Sequence, residues 1–112
     1  MVKKQCLIKR FSVYWINLDP TQGSEINKKR PCVVISPDEL NRYLNTVIVM
    51  PLTFTLRDYP WRVLCDINGK KGEIATDQIR CIDRSRVGDC LATLSNSERN
   101  NLLDVIAKMF TM

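Results

Sequence analysis

The chain is predicted to be one small domain of the β or α+β class, a strongly bent sheet or barrel closed by a helix. Short apolar runs recur along most of its length, each bounded by Gly, Pro, Asn or Asp. Helical apolar spacing of any length occurs only at the C-terminus. The 112 residues suffice for one hydrophobic core and are too few for two, so residues 1–112 are expected to form a single domain.

Each element has its own signal. Val13 to Leu18 alternates and is rich in aromatic and β-branched residues, which predicts a strand. "DPTQG" and "GSEINKKRP" then form a loop, and "CVVIS" is a short apolar run expected to be a buried strand. In "SPDELNRY", Ser36 can cap, Pro37 suits a first helical position and Glu39 completes a capping box, predicting a helix of a turn or two. "TVIVMPL" is a further strand, where Pro51 implies an edge or a bulge. "TFTLRDYP" is a loop. "WRVLCDI" alternates and enters a hairpin turn at Asn68-Gly69. "EIATDQIRCI" resumes as a strand with a bend near Thr76-Asp77; "DRSRVGD" is a polar loop and "CLATL" a short strand. Ser95 and Glu98 make a second capping box, and Leu102, Leu103, Ile106 and Phe110, with Met109 beside them, fall on the docking face of the last helix.

Composition narrows the chemistry. No apolar run approaches the ~20 residues that span a bilayer, and Lys9 and Arg10 interrupt the apolar part of the N-terminus where a signal peptide has none. A cytosolic protein without a membrane partner is expected. The five cysteines are Cys6, Cys32, Cys65, Cys81 and Cys90; they are dispersed, with no C-x-x-C pair, which argues against a disulfide framework and a zinc site. Most lie in apolar runs and read as small core residues. The chain has no histidine, so the commonest metal ligand and general base is missing. Any catalysis must use carboxylates, Arg, Lys, hydroxyls or thiols. No metal and no cofactor is expected. The net charge of +5 suits a polyanionic partner.

Several residues can carry function, and each has a plain structural alternative. Glu25, Lys28, Lys29 and Arg30 crowd one loop. They are either a solvated loop with loosely paired charges or an anion site, in which Arg30 offers a planar fork to phosphate oxygens and the lysines add field. Thr53 and Thr55 end an apolar strand, where hydroxyls can satisfy backbone groups. Asp77, Gln78 and Arg80 interrupt another apolar run, either at a surface bulge or as hydrogen-bonded groups at an interface. Tyr14, Trp15, Tyr59 and Trp61 are expected in the core or an interface rather than as stacking platforms, and Phe54 is the aromatic best placed to meet a base.

"VYWINLDPTQGSEINKKRPCVVIS", "VIVMPLT", "YPWRV" and "TDQIRCID" occur in the order and spacing of the MazF/PemK (Kid-like) toxins. The chain resembles that family over residues 13 to 83, through the linked set G-S-E…R-P-x-V-V-(I/L)-S, P-(L/V/C)-T and D-Q-(I/V)-(K/R). The resemblance implies an SH3-like small β-barrel of the CcdB/PemK type with a short helix and a C-terminal helix. It implies a cytoplasmic homodimeric toxin of a type II toxin–antitoxin system, an endoribonuclease cutting single-stranded RNA, mostly mRNA, at short sequences. A cognate acidic antitoxin would lie over the RNA groove.

Carried over residue by residue, the resemblance makes Arg30 and Thr53 the catalytic pair and Glu25 a further acid needed in some members. It places Asp77 and Gln78 near the dimer and RNA groove. With them, Ser24, Lys28, Lys29, Phe54 and Thr55 make the expected substrate-binding set. Ser24 stands where PemK-type members can carry His, and Ala75 where they can carry Arg, which favours the Arg/Thr assignment over an acid/base pair of the PemK kind. Arg10-Phe11-Ser12 replaces the usual R-G-(D/E) lead-in. The implied chemistry is metal-independent attack by the RNA's own 2′-hydroxyl, giving 2′,3′-cyclic phosphate and 5′-hydroxyl ends. The competing readings are a non-catalytic CcdB-like toxin, whose activity depends on its C-terminal helix region, and an inactive RNA-binding homologue.

Overall fold

The computed structural model describes residues 7–26 and 28–111; Cys6 lies outside them. The strands are β1 (Ser12–Asn17), β2 (Lys29–Val34), β3 (Thr46–Thr53), β4 (Val63–Ile67), β5 (Lys70–Ile74), β6 (Arg80–Asp83) and β7 (Val87–Thr93). The helices are α1 (Asp38–Tyr43) and α2 (Asn96–Phe110). All pairings are antiparallel, in the order β4-β5-β3-β2-β1-β7, with β6 also on β3. The expected bent sheet and closing helix are both present.

β2 and β3 are covered on both faces over most of their length, as is the start of β1; Trp15 and Asn17 further along β1 are exposed. On one side Val13, Val33, Met50 and Leu52 pack with Ile74, Leu94 and Leu102 of α2. On the other Tyr14, Ile16, Cys32, Val34, Val49 and Ile82 pack together. Alternate strand residues face opposite ways, so a strand buried on both sides reads as a continuous apolar run. "CVV" and "VIVM" are that signal. β4, at the sheet's edge, alternates buried and exposed.

The sheet bends where β3 changes partners. Its first half pairs with β6, up to Val49↔Arg80, and its end pairs with β5, from Leu52↔Ile74. Pro51 falls in the gap. It also faces Cys32 on β2, so it is not on an edge strand; its missing N–H lies where the ladder is interrupted. The expected bend at Thr76-Asp77 is a 3-10 turn, Thr76–Gln78, that separates β5 from β6. Asp77 therefore sits in a turn rather than in an apolar strand.

Three local expectations change. Ser36 does not cap α1: Pro37 holds that position without a side-chain bond. Ser36 is buried instead, donating to Asn41 Oδ1 at 2.5 Å and accepting from the Ile48 N–H at 3.1 Å, which ties α1 to β3. β7 begins at Val87, inside the segment expected to be a loop. β2 begins at Lys29, so Lys29 and Arg30 belong to a strand. The Asn68-Gly69 turn is as expected, with φ of 52° and 89°, the left-handed values that such a hairpin requires.

α2 carries the expected capping box. Ser95 Oγ accepts from the Glu98 N–H and Glu98 Oε1 accepts from the Ser95 N–H. Glu98 Oε2 also accepts from the Asp66 N–H at 2.7 Å, fastening the helix start to β4. Leu102, Val105 and Ile106 face the core, whereas Leu103, Met109 and Phe110 are exposed. The buried stripe is narrower than expected because the helix touches the curved sheet along one line of residues. Cys32 and Cys65 are core residues, while Cys81 and Cys90 are exposed. Of the aromatics assigned to a core or interface, Tyr14 is buried; Trp15, Tyr59 and Trp61 are not.

Candidate active site

Loop 18–28 connects β1 to β2, and its base is closed by the backbone. The Leu18 N–H donates to the Lys28 carbonyl at 2.9 Å, and the Lys28 N–H to Asp19 Oδ1 at 2.9 Å. Inside the loop, the Gln22 N–H donates to Glu25 Oε1 at 2.6 Å. Glu25 and Ser24 are exposed, as are Lys28 and Lys29. Glu25 thus braces the described part of the loop, and Lys28 at its end and Lys29 at the start of β2 are turned to solvent.

Arg30 follows on β2 and is half-buried. The β2–β3 ladder pairs Cys32 with Pro51. That ladder ends there: Arg30, paired with Ile16 of β1, and Thr53, paired with Glu73 of β5, each lie two residues beyond it, at the neighbouring ends of β2 and β3. The Thr55 N–H donates to Thr53 Oγ1 at 3.2 Å. That bond uses an acceptor site of the hydroxyl and leaves its hydrogen to point elsewhere. Thr55 thus contributes through its backbone, and its own side chain is exposed.

Cys32 reports the charge around it. Its thiol donates to the Arg30 carbonyl. Burial pushes its pKa up to about 12, against the opposing pull of Arg80 and Arg30. Arg30 on β2 and Arg80 on β6 thus both oppose that rise. Arg80 was visible in "TDQIR" but not counted among the site residues. Its Nη1 is buried and has no hydrogen-bond acceptor among the described residues.

The remaining expected residues form a frame. Asp77 accepts from Arg62 Nε at 3.2 Å and Nη2 at 3.4 Å. Gln78 Oε1 accepts from the Ile26 N–H at 3.4 Å, linking the 3-10 turn to loop 18–28. Phe54 is half-buried beside Gly72, where an added Cβ would come within 3.1 Å of the ring, and the Lys70 ammonium lies 4.1 Å from its centroid. One face of Phe54 is therefore already occupied. Tyr59 and Trp61 are stacked, with centroids 4.8 Å apart, and stand exposed on loop 54–62.

Sequence reasoning missed Glu73 and Arg62. Glu73 is only 1% exposed and lies across from Thr53 on β5. Its signal was an acid within "GEIA", the same logic that had been applied to Asp77.

The family described as "PemK-like, MazF-like toxin of type II toxin-antitoxin system" matches residues 9–110. An Endoribonuclease MazF of Staphylococcus epidermidis is 36% identical over 108 residues, covering 88% of this chain and 90% of the relative. Another from Staphylococcus saprophyticus is 32% identical, covering 95% and 96%. Among solved structures, MazF of Deinococcus radiodurans superposes with a TM-score of 0.85 at 24% identity, over 96% of this chain and all (100%) of that one. A mycobacterial endoribonuclease in complex with its cognate antitoxin superposes with a TM-score of 0.77 at 22% identity, over 90% and 92%.

Proposed function

Because the chain belongs to the PemK-like, MazF-like toxins of type II toxin–antitoxin systems, we propose that it is a metal-independent, sequence-specific endoribonuclease of single-stranded mRNA. The observation that carries this reading is that Arg30 and Thr53 lie just beyond the same end of the β2–β3 ladder, next to the exposed Lys28 and Lys29.

The RNA supplies its own nucleophile. The 2′-hydroxyl attacks the adjacent phosphorus, its proton departs, and the bond to the 5′-oxygen breaks as that oxygen gains a proton. The products are a 2′,3′-cyclic phosphate and a 5′-hydroxyl end. With the nucleophile already tethered, the protein's task is to hold attack and departure in line. Lys28 and Lys29 bring in the polyanion. The Arg30 guanidinium faces the phosphate oxygens on which charge accumulates, and the Thr53 hydroxyl donates to the same group. A donor of this kind lowers the barrier by about 3–4 kcal/mol. Glu25, in the loop that leads into β2, is the candidate base or the group that orients Arg30. Asp77 and Gln78 hold the walls of the cleft in this reading, and Ser24, Phe54 and Thr55 border the RNA.

The partners follow from the same membership: a second copy of the chain and an acidic antitoxin whose segment competes with RNA for the basic cleft. The exposed Leu56, Tyr59, Trp61, Leu64, Leu103 and Phe110 offer apolar contact surface for such assembly. The expected location is the cytoplasm.

Incubating the protein with a long RNA, with and without EDTA, and sequencing the ends tests the reaction. Cutting at a short recurring sequence, unaffected by EDTA, with 5′-hydroxyl ends is the expected result. Deoxyribose at the cleaved nucleotide abolishes cutting while binding persists. Continued cleavage of that substrate rules out the chemistry, and binding with no cleavage of any RNA returns the inactive homologue.

A further inference from the structure

We propose that Glu73 is the positioning residue of loop 54–62, and that through this loop it sets which RNA sequence the site accepts. The inference rests on the endoribonuclease reading and adds a residue that no part of that reading requires.

Glu73 is anomalous by position. It lies on β5 between Thr53 of β3 and Leu64 of β4, at 1% exposure. A buried carboxylate is costly unless it is hydrogen-bonded and paired. Here all of the compensation comes from one side. The Arg57 N–H donates to Oε1 at 2.9 Å and the Asp58 N–H to Oε2 at 2.8 Å, so the carboxylate forks onto two consecutive backbone amides of the loop. Arg62 Nη1 lies 3.7 Å from Oε1. Asp58 has a φ of 59°, a left-handed conformation in which a non-glycine residue needs holding. Residues 55 to 61 are exposed, so the loop has little burial of its own to shape it.

The clamp extends through Arg62 to the 3-10 turn and to the aromatic pair of the loop. Arg62 joins Glu73 to Asp77, and its guanidinium lies 5.2 Å from the Tyr59 ring centroid, beneath the Tyr59–Trp61 stack. Loop 54–62 leaves β3 directly after Thr53, so its path decides where Leu56, Tyr59 and Trp61 stand relative to the scissile linkage. Glu73 touches no substrate in this arrangement. It acts by fixing the loop that does.

The test is the Glu73→Gln variant, compared with the unaltered protein by end sequencing on one long RNA and by steady-state kinetics on a short substrate. The carboxamide oxygen can accept from one loop amide, but its NH2 group opposes the other. The expected result is a changed or broadened set of cleaved sequences and a KM raised roughly tenfold or more, with kcat less affected. An unchanged set of cleaved sequences, whatever the change in melting temperature, overturns the proposal, since loss of stability alone does not redirect cutting. If that variant does not fold, hydrogen exchange on the unaltered protein decides. The Arg57 and Asp58 amides must exchange much more slowly than that of Leu56, and equal rates overturn the proposal. An unaltered protein that cuts no RNA removes the endoribonuclease reading, and this inference with it.

Discussion

Arg30 is the second residue of β2, half-buried, with its backbone carbonyl engaged by the Cys32 thiol. A truncation there would remove packing as well as charge. Arg30→Lys is the cleaner probe, because it keeps a stem and a cation but loses the planar fork. It is expected to lower kcat/KM by ~10²-fold or more, with little change in melting temperature, as read by single-turnover cleavage and thermal unfolding. The thiols give a second check. Burial pushes Cys32 and Cys65 up to about 12, so both stay protonated and unreactive near neutral pH. Alkylation of the native protein followed by mass spectrometry is expected to label Cys81 and Cys90 and to spare Cys32 and Cys65. Glu73 supplies a pH dependence. Burial raises its pKa, but the Arg57 and Asp58 amides and Arg62 outweigh that effect and hold it below its ordinary value. A depressed carboxylate stabilises the fold above its unfolded pKa and loses that contribution as pH falls through the folded one. Wild-type stability therefore declines on acidification below the usual carboxylate range more steeply than that of Glu73→Gln, measured as melting temperature against pH.

At the level of elements, the helix signals divided by context. Ser95 and Glu98 cap α2 as their spacing predicted, because Ser95 is exposed and nothing competes for its hydroxyl. Ser95→Ala should cost about 1 kcal/mol and lower the melting temperature by ~4 °C. The same pattern at Ser36 and Glu39 failed because Ser36 is buried against Asn41 and β3. Strand signals survived wherever burial was symmetrical. Where a partner changes, Pro51 reads in sequence as an edge or a bulge; β3 is not an edge strand, and the break lies in its ladder. The candidate site was legible as motifs: Arg30 and Thr53 were each identifiable as candidates. That they lie beyond the same end of one ladder is a property of β2 and β3 together.

Across the whole molecule, charge and exposed apolar surface make separate predictions. A net charge of +5 with exposed Lys28 and Lys29 beside Arg30 implies RNA binding that weakens steeply with salt. For a deoxy-substituted, uncleavable RNA, the Lys28→Ala, Lys29→Ala double variant is expected to flatten the plot of log affinity against log salt by roughly 1.4 units. An unchanged slope would place the phosphates elsewhere. The exposed Leu103 and Phe110 on α2, with Leu64 on β4, lie outside the monomer's core. Sedimentation at micromolar concentration is expected to give twice the 13.0 kDa chain mass, and a monomer would remove the homodimer from the proposal.

What the amino-acid order settled alone was whatever depends on near neighbours along the chain: the apolar runs, the Asn68-Gly69 turn, the cap of α2 and the basic loop before Pro31. Those signals act over a few residues, where backbone geometry and local hydrogen bonds dominate. Only folding decided that Glu73 would lose water to a neighbouring loop, that Arg80 and Arg30 would act on one thiol, and that half of the apolar face of α2 would remain outside. Each of these depends on groups brought together across strands, and the burial that makes such contacts strong exists only once the sheet has curled.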